Sequence, residues 1–200
     1  MDVIESIFRE TKTAEGRQLL ISSGNLDKLV SCFKELRYNG CSDVAIVTMR
    51  AFRNACAGEV GNAAHLEEKG VVLDTFAMCK ELFWSKCLTE DTELNQTDQL
   101  DDELKSKKDF FLASCQFIAN FTNCGDQRRA YLWSPPIGSS RLCDLIACAA
   151  SSRNSKCLEA VMAIIYNSLA STIPSKLSDN NIQSLCDSRA LVCQVLRRSI

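Results

Sequence analysis

Apolar residues recur along this chain at helical spacing. Leu26, Leu29, Val30, Phe33 and Leu36 fall on one face of a helix, the pattern of an amphipathic segment packed on a core. Phe76, Cys79 and Phe83 continue that spacing, as do Phe111, Cys115 and Ile118. Val44 to Ala57, Phe111 to Thr122 and Leu158 to Ala170 are apolar round much of their circumference, which predicts interior helices. Shorter helices are predicted over residues 2–10, with Val3, Ile4, Ile7 and Phe8 on one face, over His65 to Lys69, and over Asp126 to Trp133. Leu142 to Ala149 completes the set, with a final helix from Asp179 to Arg198 that turns Ile182, Leu185, Cys186, Leu191, Val192 and Val195 inward. Leu19–Leu20–Ile21 reads as a short apolar segment. Asn39–Gly40 reads as a stop, Ser42 or Asp43 as a cap and Gly58 as a helix end. No stretch alternates apolar and polar residues, so no strand is predicted.

The three interior helices share more than composition. Each carries an Asn near its C-terminal end: Asn54, Asn120 and Asn167. The last two lie 47 residues apart. The first two lie 66 apart, one such period plus about 20 residues. Gly24 and Gly70 precede matching amphipathic helices 46 residues apart, and Phe8 lies 46 before Asn54. Periods of about 40–47 residues belong to armadillo and HEAT repeats. The predicted fold is therefore all-α, an α-solenoid of armadillo/HEAT-like repeats, with residues 1–200 forming one unit of about four partial or complete repeats. The short elements at His65 to Lys69 and Asp126 to Trp133 favour three helices per repeat; two remains open. The surplus falls near residues 88–108, where Glu90, Asp91, Glu93, Asp98, Asp101, Asp102 and Glu103 crowd together. Such composition predicts a flexible acidic insertion. Leu100 and Leu104 align with Phe111, so its last part reads as an extension of the next helix. The amphipathic helix near Ile200 lacks a polar cap, as expected of a stack that continues or a truncated chain.

Charge and cysteine content narrow the functional classes. The net charge is −2, with no concentrated basic face of the kind nucleic acid requires. No run of 18 or more apolar residues is present, so no membrane span is predicted. The acidic, amphipathic start does not resemble a signal peptide, and an intracellular chain is expected. Its 12 cysteines admit three explanations. A secreted disulfide scaffold conflicts with the length and the missing export signal. Zinc conflicts with a single His, His65, and the absence of Cys-x-x-Cys. Buried, reduced thiols used as small core residues fit the stripes. No cofactor and no metal are expected. Gly58–Glu59–Val60–Gly61 lacks the Lys and preceding strand of a phosphate loop. A thiol enzyme would need His65 to meet an activated Cys, so that reading depends on one contact. Trp84 and Trp133 are each readable as buried or as surface anchors.

Arg50 to Asn62, with the phrase Arg53–Asn54–Ala55–Cys56 at its centre and Gly70–Val71–Val72 after it, resembles the N-terminal part of the ataxin-10 family. Phe117 to Asn123, followed by Gln127 and Tyr131–Leu132–Trp133, is similar to the family's next repeat. The likeness is good from Asp43 to Trp133 and loose elsewhere. The acidic stretch departs from the family, and its C-terminal domain has no counterpart here. The resemblance implies an armadillo-like, non-enzymatic cytoplasmic scaffold, perinuclear or centrosomal, with roles in neuronal survival and neurite growth, cytokinesis and the cilium base. It also implies protein partners, the G-protein β subunit and O-GlcNAc transferase among them, with homo-oligomers open. A generic armadillo/HEAT peptide-binding adaptor is the other reading. On either, Arg53, Asn54, Asn120 and Asn167 are the candidate partner groove, since an Asn so placed in an armadillo helix can hydrogen-bond an extended peptide. The competing role is structural: each Asn amide caps loop carbonyls of the neighbouring repeat, and Arg53 pairs with a nearby carboxylate on the surface.

Overall fold

The computed structural model describes residues 2–36, 42–87, 98–133, 138–151 and 155–169. Among these the chain forms helices and no strand: α1 (Asp2–Glu10), α2 (Ala14–Leu19), α3 (Asn25–Leu36), α4 (Asp43–Ala55), α5 (Val60–Glu68), α6 (Val71–Cys87), α7 (Asp98–Asn123), α8 (Asp126–Trp133), α9 (Gly138–Ser151) and α10 (Ser155–Leu169). The all-α class is as expected. The Asn39–Gly40 stop, the first part of the acidic stretch and the helix read at Asp179 to Arg198 lie outside the described residues.

Local signals account for most boundaries. Ser42 caps α4 by accepting a hydrogen bond from Ala45 N at 3.3 Å. Gly24 and Gly70 adopt φ of 71° and 75°, a left-handed geometry that side chains resist. They make the same turn twice. Each amide donates three residues back, to Ile21 O and Glu67 O, both at 3.0 Å. Each carbonyl then receives the first helical amide of α3 or α6, from Lys28 N or Asp74 N. Two boundaries differ from expectation. The Leu19–Ile21 segment closes helix α2, where Leu20 is buried and Leu19 and Ile21 are exposed. α5 begins at Val60, so His65 lies within that helix rather than at its start. The extension read from Leu100 and Leu104 is present, because α7 starts at Asp98.

Every third helix packs in series: α1 on α4, α4 on α7, and α7 on α10. α3 lies against α4, and α6 against α9. Counting back three residues from each Asn gives Ala51, Phe117 and Ile164; counting back two gives Phe52, Ile118 and Ile165. All six are buried. Six residues back stand Thr48 and Ser114, whose hydroxyls donate to the carbonyl four residues earlier at 2.7 and 2.8 Å, which lets a polar side chain sit inside. Leu20, the C-cap of α2, and Leu66 and Leu132, in α5 and α8, are fully buried at spacings of 46 and 66 residues. A chain of ring contacts, Phe33–Phe52 at 5.5 Å, Phe52–Phe117 at 5.7 Å, Phe117–Phe121 at 6.3 Å and Phe121–Tyr131 at 6.0 Å, crosses four helices. Each buried Phe contributes about 1.5–3 kcal/mol through apolar burial.

Candidate functional site

The last carbonyls of a helix have no partner within it. At the end of α4 they find partners in later helices. Asn120 Nδ2 donates to Arg53 O at 2.8 Å. Asn62 Nδ2 donates to Ala55 O at 3.0 Å and also reaches Arg17 O at 2.9 Å. The Cys124 thiol donates to Cys56 O at 2.9 Å. The arrangement recurs one step on, where Asn167 Nδ2 donates to Ala119 O and Thr122 Oγ1, each at 3.4 Å. Arg53 and Ala119 are the residues just before Asn54 and Asn120. Each Asn therefore binds the carbonyl that precedes its counterpart in the earlier helix. Asn54 follows the same direction, donating to Thr11 Oγ1 beyond α1 at 3.2 Å. That places Arg9, not Phe8, at the position of the Asn.

Arg53, Asn54, Asn120 and Asn167 thus lie on one series of packed helices, α1–α4–α7–α10, each half-buried. Their inward atoms join the helices, while the Oδ1 atoms of Asn120 and Asn167 carry no bond among the described residues. Arg53 departs from the carboxylate pairing expected of it. Its Nε and Nη2 donate to Asn54 Oδ1 at 3.2 and 3.0 Å, and its Nη1 to Gln116 Oε1 on α7 at 2.9 Å. Burial and then the like charge of Arg50 lower its pKa, although a guanidinium stays charged throughout the physiological range. Four residues before each Asn stand Arg50, Gln116 and Ala163; the first and third are exposed.

Neighbouring helices are also joined by ion pairs. Arg128 on α8 meets Glu67 on α5 at 3.1 Å, with Arg128 buried. His65 lies 2.9 Å and Lys69 3.3 Å from Asp27 on α3. The His65 hydrogen bond is the main influence holding the Asp27 carboxyl below its usual range, with Lys69 assisting against desolvation. His65 is thereby engaged by a carboxylate. Trp133 is buried, and its Nε1 donates to Ser168 O at 3.2 Å, so its ring anchors α8 to α10 inside the fold. The side chain of Trp84 lies outside the described set.

Eight cysteines fall among the described side chains, all as thiols. Six of them are buried. Desolvation pushes Cys115 well above the usual thiol pKa, reinforced by Cys79, Cys157 and Cys148 nearby. Burial acts likewise on Cys56, whereas the bond from Cys56 lowers Cys124. A raised pKa suppresses the thiolate needed for nucleophilic attack. Among the described residues, no group of three or more His, Cys, Asp or Glu could hold a metal ion. No helix there is long and apolar enough to cross a membrane.

Asn62 and Gln116 escaped the sequence reading. Asn62 lies in a weakly amphipathic helix, and Gln116 has no counterpart Gln in the other copies. The polarity of Asn62 two residues from Val60 was a usable signal; its partners were not. No protein-family model matches the chain, and neither a curated protein nor a solved structure does.

Proposed function

We propose that the chain is an armadillo-like α-solenoid acting as a non-enzymatic scaffold for polypeptide partners. In this reading α2–α4, α5–α7 and α8–α10 are three-helix repeats, and α1 is the last helix of an earlier one. The observation that carries it is the Asn-to-carbonyl bond repeated between third helices, from Asn120 to Arg53 O and from Asn167 to Ala119 O. Stacked repeats bury a continuous core and leave a long side-chain ladder for binding. The partner surface is the edge bearing Arg50, Arg53, Gln116, Asn120, Ala163 and Asn167. The outward Asn oxygens would accept amide protons from an extended segment, a use of main-chain recognition seen in several peptide-binding modes.

The resemblance to the ataxin-10 family gives the proposal its named partners, the G-protein β subunit and O-GlcNAc transferase, and its cytoplasmic or centrosomal setting. The test is calorimetric titration of each purified partner into the chain and into the Ala163→Trp variant. Ala163 is exposed, so a Trp there blocks the edge without entering the core. Binding that weakens about tenfold or more in the variant, with an unchanged melting temperature, supports the edge as the contact. Equal binding by both forms moves the contact elsewhere, and no binding by either partner removes the ataxin-10 assignment.

A further inference from the structure

Arg53 brings a charge to a position where hydrogen bonding alone needs only a donor. Its three bonds go to the side-chain oxygens of Asn54 and Gln116, both neutral amides. A guanidinium has five N–H groups, so two stay unspent. The carboxylates of the described ion pairs are taken by other cations: Glu5 by Arg9, Asp27 by His65 and Lys69, Asp144 by Lys80, Glu67 by Arg128, and Asp126 by Arg129. The charged group acting on Arg53 is Arg50, one turn earlier on α4 and exposed. Withdrawing a cation from water beside a second cation costs free energy that neutral acceptors offset only in part.

We infer that Arg53, with Arg50 beside it, is the seat for one anionic group, a carboxylate or a phosphate, on the polypeptide that lies along this edge. The inference rests on the binding role proposed above and adds the chemistry of the ligand. Asn54 and Gln116 hold the guanidinium plane from two helices, so its remaining N–H groups are oriented before the ligand arrives, which reduces the ordering cost of binding. Arg favours such planar, charge-assisted pairing with carboxylate or phosphate. Arg50, exposed one turn away, strengthens the local positive potential.

The test is selection of a displayed random dodecapeptide library on the immobilised full chain and, in parallel, on its Arg53→Gln variant. The full chain is expected to enrich peptides with Asp or Glu at one fixed position, and the variant to lose that preference. The best acidic peptide should bind the variant about tenfold or more weakly, and Arg50→Gln, whose exposed site carries no folding risk, should weaken it by a smaller factor. Replacing the acidic residue of that peptide by phosphoserine separates the sources. A tighter complex assigns the seat to phosphate, a weaker one to carboxylate, and both support an anion seat. Enrichment without acidic preference, or an acidic preference unchanged by both substitutions, overturns the inference while leaving peptide binding intact. No enrichment on the full chain overturns both.

Discussion

Asn120→Ala tests whether bonds between helices hold the array together. The Asn120 amide lies half-buried between α7 and α4 and donates at 2.8 Å to Arg53 O. That carbonyl belongs to the last turn of α4, and the next amides turn elsewhere: Cys56 N binds Phe52 O and Ala57 N binds Asn54 O. Removing the amide leaves the Arg53 carbonyl unsatisfied, at a cost of about 1–3 kcal/mol. Half-burial admits some water, which places the expectation at about 1–2 kcal/mol. For a chain of this size each kcal/mol moves the midpoint by about 2–4 °C. The melting temperature should therefore fall by about 2–8 °C in differential scanning calorimetry. Asn120→Asp sharpens the test. At neutral pH a carboxylate would face the carbonyl with no proton to donate, so this variant should melt below Asn120→Ala. As pH falls below about 4 the protonated acid regains a donor, and the gap should close. If both variants melt within 1 °C of the parent at pH 7, the bond contributes nothing and the neighbour-capping argument fails.

Three further outcomes are expected. Phe117→Ala removes a fully buried ring that contacts Phe52 and Phe121, and should destabilise the fold by about 3–5 kcal/mol in urea titration; a loss below 1 kcal/mol would mean the ring chain is loosely packed. Ellman titration of reduced protein should count all 12 cysteines in denaturant but show slow reaction of the buried ones in native buffer, and rapid native labelling of Cys56 or Cys115 would contradict their burial. Replacing Leu88 to Thr97 by a short Gly/Ser link should leave helical circular dichroism and melting temperature intact, since shortening a connection changes closure entropy by only about 1 kcal/mol; unfolding of this variant would show that the acidic segment carries packing.

Sequence spacing is a good guide where burial alone decides position. The Leu26, Leu29, Val30 and Phe33 stripe of α3 is buried as its period requires. Leu20, Leu66 and Leu132 show the limit of that signal. They are buried in or at the end of three short helices whose lengths are too small for a clear period. The same limit explains α5, whose first turn, with Asn62 facing α4, lacks an apolar stripe, so that spacing alone starts the helix at His65. Of the candidate site, the recurrence of Asn and the use of its amide as a cap on neighbouring carbonyls were legible; that those carbonyls lie within α4 and α7 rather than in a loop was not. Asn120 and Arg53 are 67 residues apart in sequence, and Arg53 and Gln116 are 63 apart. Partners so distant are chosen by stacking, which a local pattern does not encode. Arg53 was expected to find a carboxylate because exposed arginines commonly do; its half-buried place beside two amides follows from the approach of α7.

The caps at the end of α4 have a consequence for cooperativity. Their donors come from Asn62, Asn120 and Cys124, all later in the chain, so the terminus of one helix is completed only when the following helices have docked. Coupling between neighbours is then reciprocal. Loss of α7 returns the α4 carbonyls to water, and loss of α4 returns the side-chain donors of α7 to water, so either loss forfeits the same bonds. If the chain is the solenoid proposed above, stability is the sum of each unit and its junctions. Here the junction energy belongs to both helices. Hydrogen exchange at the end of α4 should consequently track the opening of α7.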